Sequence, residues 1–359
     1  DSNGETKENP FTAIGFDYRY VADGNDIQSM IDAFKAVKNV DHPILLHINT
    51  LKGKGYQPAI DNEEAHHWVM PFDLKTDKTT VAMPEGPTAS SIALDVLEDH
   101  INNGEKIMAI NAAIPGVFGL DRIKNKYPEN YHDVGIAEQE SVAFAAGMAK
   151  EGATPVLFEN STFLQRAFDQ LSHDVAANDL PVVMMVAGGG ISGTSKTHLG
   201  VFDQVMISNL PNWIYLAPTN LAEEKAMMEW AIKQKKHPVA IKMPTKDVAV
   251  LALGDMYDML GKKVAEKTGA SLVNPVSANI LDTAALDKLT QENKVIVTIE
   301  DNILDGGFGE KVASYLGDKD IKVLNYGQKR VYTDQVPLKE ILKDNRMTVD
   351  QIVEDIENA

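Results

Sequence analysis

The sequence predicts an α/β protein with parallel β-sheets, helices on both faces of the sheets, and a smaller α/β domain at the C-terminal end. Short apolar runs alternate with segments of helical periodicity along most of the 359 residues. This alternation is typical of parallel sheets. The pattern stops at Asp247 and then starts again with shorter elements, which predicts a separate third domain.

The first segment is predicted to contain one helix and one buried strand. Ile27–Val37 has apolar residues at helical spacing, and residues 42–49 form a short apolar run. Because one helix and one strand cannot enclose a core, we expect residues 1–60 to complete a sheet whose other strands lie elsewhere. Residues 61–87 are rich in charge, proline and glycine and are predicted to be a linker.

The next two domains are predicted at residues 88–247 and 248–359. In the first of them, helices are expected at residues 89–101 and 163–177, and strands at residues 107–113, 155–159, 181–187, 213–218 and 239–243. In the second, strands are expected at residues 270–274, 294–300 and 321–325, and helices at residues 284–291, 309–315 and 347–358.

Composition excludes several classes of function. The chain has no cysteine, which rules out disulfides and thiolate chemistry and is compatible with a cytoplasmic location. The net charge of −18 argues against nucleic-acid binding, since phosphate neutralisation needs clustered Lys and Arg. No apolar run reaches the ~18 residues that a membrane helix needs, so no membrane partner is expected.

Glu138 is the first candidate functional residue. It follows a short apolar run and precedes a small-residue segment, residues 141–149, that is predicted to be a closely packed helix. An acid held there is poorly solvated and can share a proton with a basic ring nitrogen. The alternative is an ordinary acid in the first turn of a helix, and these residues alone favour that alternative.

Two further candidate segments follow predicted strands, at the sheet edge where open α/β folds bind ligands. In residues 161–166, Phe163 can stack on an aromatic ring and Arg166 can bind a phosphate or carboxylate. Taken singly, a core Phe and a surface Arg are the commoner explanations. His198 follows the glycine-rich residues 188–193 and can bind a sugar hydroxyl or transfer a proton.

The first segment contributes basic candidates. Lys52 and Lys54 follow the strand predicted at residues 42–49, where they can meet an anionic group, although solvated lysines are common. His66 and His67 are adjacent and point in different directions, so we predict no metal site there.

Taken together, these motifs resemble the 1-deoxy-D-xylulose-5-phosphate synthases, within the wider transketolase family. The resemblance covers almost the whole chain, and it is specific because many short motifs occur in one order. The motifs are residues 50–56, His67 with residues 71–73, residues 133–139, residues 161–166, Asp169 and Gln170 with His173 and Asp174, Thr197 and His198 with Gly200, and Glu300 with Gly306 and Gly307.

The resemblance implies a thiamine-diphosphate-binding fold followed by a transketolase-type C-terminal domain. Residues 1–60 would end the pyrophosphate-binding domain, residues 88–247 would form the pyrimidine-binding domain, and residues 248–359 the C-terminal domain. The implied enzyme is a homodimeric transferase that uses thiamine diphosphate and Mg²⁺. It would join pyruvate, a 2-oxo acid, to glyceraldehyde 3-phosphate, an aldose phosphate, in isoprenoid precursor synthesis.

The resemblance also implies roles for individual residues. Glu138 would act on the aminopyrimidine of the cofactor, and His198 and His67 would face the substrate as further catalytic residues. The implied cofactor-binding residues are Glu138, Phe163, Ile136 and Lys54, and the implied substrate-binding residues are Arg166, Asn160, Lys196 and Lys246. No metal ligand is expected in this chain.

The sequence departs from the family pattern in two respects. It has no Gly-Asp-Gly motif, so we expect the ligands of Mg²⁺ and the diphosphate on another chain or on an N-terminal segment, with Asp1 beginning the downstream piece of a longer protein. The family arginines that bind the substrate phosphate are also missing, at residues 188–190 and at Thr245. Lys196 and Lys246 can replace them only as point charges.

The second departure leaves two alternatives open. One is a synthase-like transketolase with a different acceptor. The other is a non-catalytic subunit that has kept the fold, although such a subunit has no need of Glu138 or His198.

Overall fold

A computed structural model describes residues 9–63, 65–67, 69–81, 86–244 and 253–359. The chain divides into two compact units, Asp1–Glu85 and Gly86–Ala359. No helix in the described part of the chain is both long and apolar enough to cross a membrane.

The first unit contains a two-stranded parallel sheet and a short hairpin. Its elements are α1 (Pro10–Ala13), β1 (Asp17–Val21), α2 (Ile27–Val37), β2 (Ile44–Ile48), α3 (Gln57–Asp61), β3 (Phe72–Asp73) and β4 (Lys78–Thr79). β1 pairs with β2 in parallel, and β3 pairs with β4 in antiparallel orientation. The predicted helix and strand are confirmed, whereas β1 and the hairpin inside the predicted linker were not expected.

Helix α2 shows what this unit leaves uncovered. Asp26 caps its N-terminus, because the Asp26 carboxylate accepts a hydrogen bond from the backbone N–H of Ser29 at 2.7 Å. The apolar side of the helix faces outward, with Ile27 78% and Phe34 54% exposed. An amphipathic helix normally buries this side, so the exposure supports the expectation that the unit completes a larger sheet.

The second unit is built on a six-stranded parallel sheet. The strands are β5 (Ile107–Asn111), β6 (Tyr131–Asp133), β7 (Thr154–Asn160), β8 (Val183–Ala187), β9 (Ile214–Leu216) and β10 (Val239–Lys242), in the order β6-β5-β7-β8-β10-β9. All five pairings are parallel. The predicted parallel α/β fold is therefore confirmed, and β6 is an edge strand that was not predicted.

Helices cover both faces of this sheet. They are α4 (Ala89–Asn102), α5 (Pro115–Phe118), α6 (Asp121–Lys126), α7 (Glu138–Lys150), α8 (Phe168–Gln170), α9 (Asp203–Ser208) and α10 (Leu221–Lys233). Successive strand residues point to opposite faces. In β7, Leu157 packs in one core with Val142 of α7, whereas Val156 packs in the other core with Leu97 of α4.

The helix predicted at residues 163–177 is confirmed as helical but is not one regular helix. It consists of a 3₁₀ turn at Leu164–Ala167, α8, and a π-helical turn at Leu171–Ala176. Side chains from outside the helix donate hydrogen bonds to its carbonyl groups. The Trp213 indole donates to Leu171 O at 3.1 Å, and Asn212 donates to Ala176 O at 2.8 Å.

The C-terminal part forms a smaller α/β layer around two parallel strands. Its elements are α11 (Lys262–Thr268), α12 (Thr283–Glu292), β11 (Val295–Ile303), α13 (Phe308–Tyr315), β12 (Lys322–Gln328), α14 (Leu338–Asp344) and α15 (Val349–Glu357). A third core joins this layer to the loop that follows β8, since Ile191 and Leu199 pack with Ile299 and Ile352.

The strand predicted at residues 270–274 is wrong. No strand is assigned there. The side-chain oxygen of Asn274, Oδ1, accepts a hydrogen bond from Val276 N at 2.9 Å. Val276 has a φ of 62°. This turn, together with Pro275, which has no N–H to donate, prevents a continuous strand. Pairing starts only afterwards, where Ser277 forms an antiparallel bridge with Leu216 of β9.

Candidate functional site

Glu138 is the first residue of α7 and is 4% exposed. Arg166 donates from Nη1 to both carboxylate oxygens of Glu138, at 3.0 and 3.3 Å. Ala145 and Ala149 are buried on the sheet side of α7, and their small size lets the helix pack closely against the sheet. Glu138 therefore belongs to the helix itself, as in the alternative of an acid in the first turn of a helix, and it is nevertheless buried.

A tight turn places Glu138 at this position. The turn leaves β6 at Asp133, whose Oδ1 accepts hydrogen bonds from Ala113 N at 3.1 Å and Gly135 N at 2.8 Å. Gly135 has a φ of 73°, a left-handed conformation that favours glycine. Asp133 therefore has a structural role in the site, which the sequence did not reveal.

Ile136 lies in the same turn and is 73% exposed. An exposed isoleucine beside a buried carboxyl group offers apolar surface next to a polar group. Sites for small organic ligands commonly combine the two.

Phe163 and His198 are brought together. Their ring centroids are 5.8 Å apart and the rings are inclined at 73°, an edge-to-face arrangement. The segments that carry them are also tied to each other, because Ser161 Oγ donates to Gly200 O at 2.7 Å. The His198 Nδ1 lies 3.0 Å from Thr197 Oγ1, which restrains the ring.

The glycine-rich loop after β8 lies over a buried charge cluster that joins the sheet to the C-terminal layer. Lys242, at the end of β10, donates to Asp301 O at 2.9 Å, and its Nζ lies 3.2 Å from Asp301 Oδ2. Asp301 in turn accepts a hydrogen bond from Ile191 N at 2.6 Å. Burial raises the pKa of the Asp301 carboxyl to about 6, and Lys242 limits this rise.

The close approach of this loop explains its glycines. A Cβ at Gly189 would meet the carboxylate of Asp203, and a Cβ at Gly190 would meet the carboxylate of Asp301. Neither position has room for a side chain while those carboxylates stay in place. The loop therefore stabilises the contact between the sheet and the C-terminal layer.

The predicted substrate-binding residues have other partners in this structure. Asn160 accepts a hydrogen bond from Thr162 N at 3.1 Å, and its amide lies under Gly188. Lys196 contacts Asp334 of the C-terminal layer, where the Nζ–Oδ2 distance is 3.9 Å. Arg166 is paired with Glu138, and Lys246 lies outside the described residues.

Lys54 and His67 belong to the first unit. Lys54 Nζ lies 3.3 Å from Asp23 Oδ1, and Lys52 Nζ donates to His67 Nδ1 at 3.0 Å. The neighbouring His66 donates to Asp77 at 2.9 Å, and this hydrogen bond raises the pKa of the His66 imidazole.

Glu159 is a second buried acid near Glu138, and sequence reasoning missed it. It is 1% exposed, and burial raises its pKa to about 8, with Glu138 and Asp133 adding to the rise. The available signal was a charged residue directly after the apolar run at residues 155–158.

Side chains of these types are chemically suited to one end of a planar, nitrogen-containing cofactor. A buried acid can bind a ring nitrogen, and Phe163 and Ile136 offer apolar surface to a ring. The arrangement does not supply a metal site, since the described residues contain no group of three or more His, Asp or Glu side chains that could hold a metal ion.

Three family models match the chain. The model of the transketolase pyrimidine-binding domain matches residues 86–249, and the model of the transketolase C-terminal domain matches residues 238–352. A model described as 1-deoxy-D-xylulose-5-phosphate synthase matches residues 3–50.

The curated relatives carry the same description. The 1-deoxy-D-xylulose-5-phosphate synthase 1 of Geobacter sulfurreducens is 35% identical, over 93% of this chain and 58% of the relative. The 1-deoxy-D-xylulose-5-phosphate synthase of Clostridium acetobutylicum is 34% identical, over 89% of this chain and 56% of the relative. The chain thus spans less than two thirds of the length of these relatives.

A solved structure described as a split gene transketolase, inactive beta4 tetramer, has a similar fold. Its TM-score is 0.66 at 21% sequence identity, and the match covers 76% of this chain and 98% of that chain. At this identity the likeness concerns the fold alone.

Proposed function

Since this chain belongs to the transketolase family and matches 1-deoxy-D-xylulose-5-phosphate synthases over most of its length, we propose that it forms the pyrimidine-binding part of a thiamine diphosphate site. The observation that carries the proposal is the buried carboxyl group of Glu138 at the start of α7, held by Arg166 at 3.0 Å. The enzyme would be a transferase that forms carbon–carbon bonds.

In this proposal Glu138 holds or moves a proton at a ring nitrogen of the bound cofactor. Burial strengthens that hydrogen bond, because water is excluded and the local dielectric constant is low. Arg166 orients the carboxylate, and Phe163 with Ile136 contacts the ring. Bound thiamine diphosphate would supply the carbanion chemistry.

His198 is proposed to face the substrate. Its ring is held by Thr197 and by the edge-to-face contact with Phe163. An imidazole can transfer protons to and from a substrate oxygen close to neutral pH. His67 and Lys54 of the first unit are proposed to contribute to the same reaction.

The remaining parts of the proposal follow the family. The substrates would be pyruvate and glyceraldehyde 3-phosphate. Mg²⁺ and the diphosphate would be held by a Gly-Asp-Gly-containing segment or chain, since this sequence has no such motif. A homodimer and a cytoplasmic location also remain predictions. The proposed domain boundaries are residues 1–60, 88–247 and 248–359, with the linker at 61–87.

A specific observation favours an alternative acceptor. Gly189 and Gly190 leave no space for a phosphate-binding side chain, and Lys196 is directed to Asp334. A site that lacks positively charged side chains for the phosphate binds a phosphorylated aldehyde less well, since charge-assisted hydrogen bonds contribute about 1.5–3 kcal/mol each. The alternative is the same chemistry with an unphosphorylated aldehyde.

The test is an activity assay of the complete native protein, with any partner that carries the Gly-Asp-Gly motif. Pyruvate would be supplied with glyceraldehyde 3-phosphate or with glyceraldehyde, and thiamine diphosphate and Mg²⁺ would be added. Higher activity with glyceraldehyde 3-phosphate would support the synthase. Higher activity with glyceraldehyde would support the alternative acceptor. No thiamine-dependent product from either pair would contradict both and favour a non-catalytic subunit.

The matched variants are Glu138→Gln and Glu140→Gln. Both change a glutamate in the first turn of α7, but Glu140 is exposed. Glu138→Gln should reduce kcat by about a hundred- to ten-thousandfold, as expected for the loss of a proton-transferring group. Equal activity in the two variants would show that Glu138 has no part in the reaction.

A further inference from the structure

Glu159 is a buried carboxyl group that the proposed function leaves without a role. It lies near the end of β7, and its Oε1 accepts a hydrogen bond from Asn160 N at 2.9 Å. Its Oε2 is buried and has no hydrogen-bond partner in the described part of the structure. A buried carboxylate with one unpartnered oxygen is costly, so an acid at this position needs an explanation.

The side chain of Glu159 points to the side of the sheet that carries Glu138. Residues 157 and 159 share one face of the strand, and Leu157 packs in the same core as Val142 and Ala145 of α7. Glu138 begins that helix. The charged groups that act on Glu159 are Glu138, Asp133 and Arg166.

The surroundings favour the protonated form of Glu159. Its pKa is raised to about 8, mainly by burial and also by the negative charges of Glu138 and Asp133, while the Asn160 N–H and Arg166 oppose the rise. At pH 7 the group is therefore mainly neutral. Asp133 already accepts hydrogen bonds from Ala113, Gly135 and Tyr131.

We propose that Glu159 is a positioning residue of this site, and that its proton controls the ion pair between Glu138 and Arg166. While Glu159 is neutral, Arg166 is available to Glu138 alone. When Glu159 loses its proton to solvent, a second carboxylate competes for the same guanidinium, and its charge repels Glu138. The Glu138–Arg166 contact then weakens. The effect on cofactor binding rests on the function proposed above, but the effect on the ion pair does not.

The ion pair can be tested without any ligand. The side-chain nitrogen signals of Arg166, identified by their absence in Arg166→Lys, would be followed by NMR through a pH titration of the isotope-labelled protein. In the wild type these signals should shift with a midpoint near pH 8. In Glu159→Gln, which resembles the protonated acid, that transition should be absent.

Glu224 provides a matched control. It is also fully buried with a pKa raised to about 8 by burial, but it lies on α10, whose Met228 and Ile232 pack in the core on the other face of the sheet. Glu224→Gln should leave the Arg166 transition unchanged. If Glu159→Gln does not fold, Glu159→Leu removes the same proton and keeps a similar volume.

The proposal is overturned if Arg166 shows no transition near pH 8 in the wild type, or if the transition persists in Glu159→Gln or Glu159→Leu. Loss of the transition in Glu224→Gln would also overturn it, since the effect would then be general and not local.

A second measurement relates the pair to the cofactor. Thiamine diphosphate affinity of the complete protein should fall several-fold as the pH rises through 8 in the wild type and in Glu224→Gln, but not in Glu159→Gln. If Glu138→Gln abolishes binding and Glu159→Gln keeps the wild-type pH profile, the role of Glu159 is wrong and the proposed function stands. If Glu138→Gln changes neither thiamine diphosphate binding nor kcat, the proposed function fails, and the ligand-free titration decides the role of Glu159.

Discussion

Lys242 and Asp301 form a buried ion pair between the last residue of β10 and the strand β11 of the C-terminal layer. Their nitrogen–oxygen distance is 3.2 Å, and their side chains are only 7% and 3% exposed. Asp301 also accepts a hydrogen bond from the backbone N–H of Ile191, in the loop after β8. One carboxylate therefore fixes three segments of the second unit relative to each other.

We expect Lys242→Met to reduce the free energy of unfolding by about 3–5 kcal/mol, because Asp301 would remain buried without its cationic partner. Urea unfolding followed by circular dichroism measures this loss. The control is Lys233→Met, which breaks an exposed pair with Glu229 at 2.7 Å and should cost about 0.5 kcal/mol or less. Similar losses in the two variants would show that burial of the first pair has no particular effect.

Gly190→Ala should destabilise the protein by more than about 1 kcal/mol. Gly190 has a φ of 102°, and the added Cβ would meet the Asp301 carboxylate. Gly147→Ala is the opposite case, since Gly147 lies within α7 with no atom near the added Cβ. That change should stabilise the helix by up to about 1 kcal/mol. Thermal unfolding of the two variants should therefore shift in opposite directions from the wild type.

Glu224→Gln should make stability less dependent on pH. Burial raises the pKa of Glu224 from 4.5 to about 8 in the folded protein, so the folded state binds the proton more tightly than the unfolded state does. The free energy of unfolding therefore falls as the pH rises from about 4.5 to about 8 and levels off above that. In Glu224→Gln this fall should be smaller, by an amount of the order of a few kcal/mol.

The measurement for Glu224 is a series of urea unfolding curves between the two pKa values and above the higher one. The free energy of unfolding of the variant, relative to that of the wild type, should increase with each step in pH up to 8. A constant difference across the series would mean that Glu224 does not keep its proton in the folded state.

His198→Asn should lower kcat/KM of the complete enzyme by about a hundredfold or more, if His198 transfers protons to the substrate. The control is His173→Asn, because His173 is an exposed histidine. Its Nδ1 lies 2.8 Å from Asp169 Oδ1. The control should retain wild-type kcat/KM. Comparable losses in both variants would point to a general effect of removing a histidine from this part of the chain.

Sequence patterns located most of the main sheet. β5, β7, β8 and β10 are apolar runs, and a continuous apolar run can only be a buried strand or helix. β6 escaped prediction because it has three residues, one of them Asp133, and its position depends on pairing with β5. The strand predicted at residues 270–274 is wrong for the opposite reason. Its composition suits a strand, but a local turn at Asn274 prevails.

The site was predicted in part. The position of Glu138 at the start of a small-residue helix follows from local sequence, whereas its partner Arg166 is 28 residues away and is brought there by the turn after β7. The link between Lys242 and Asp301 spans 59 residues and joins two layers. Pairings of this kind depend on the packing of separate layers, and no local pattern encodes them.

The glycines after β8 also set a limit for protein engineering. An obvious redesign for a phosphorylated acceptor would place an arginine at Gly189 or Gly190, but its Cβ would strike Asp203 or Asp301 before the guanidinium could reach any ligand. Replacing those carboxylates first would leave Lys242 buried without its acid. A change of acceptor at this loop therefore requires several simultaneous substitutions, and stepwise selection would have to pass through unstable intermediates.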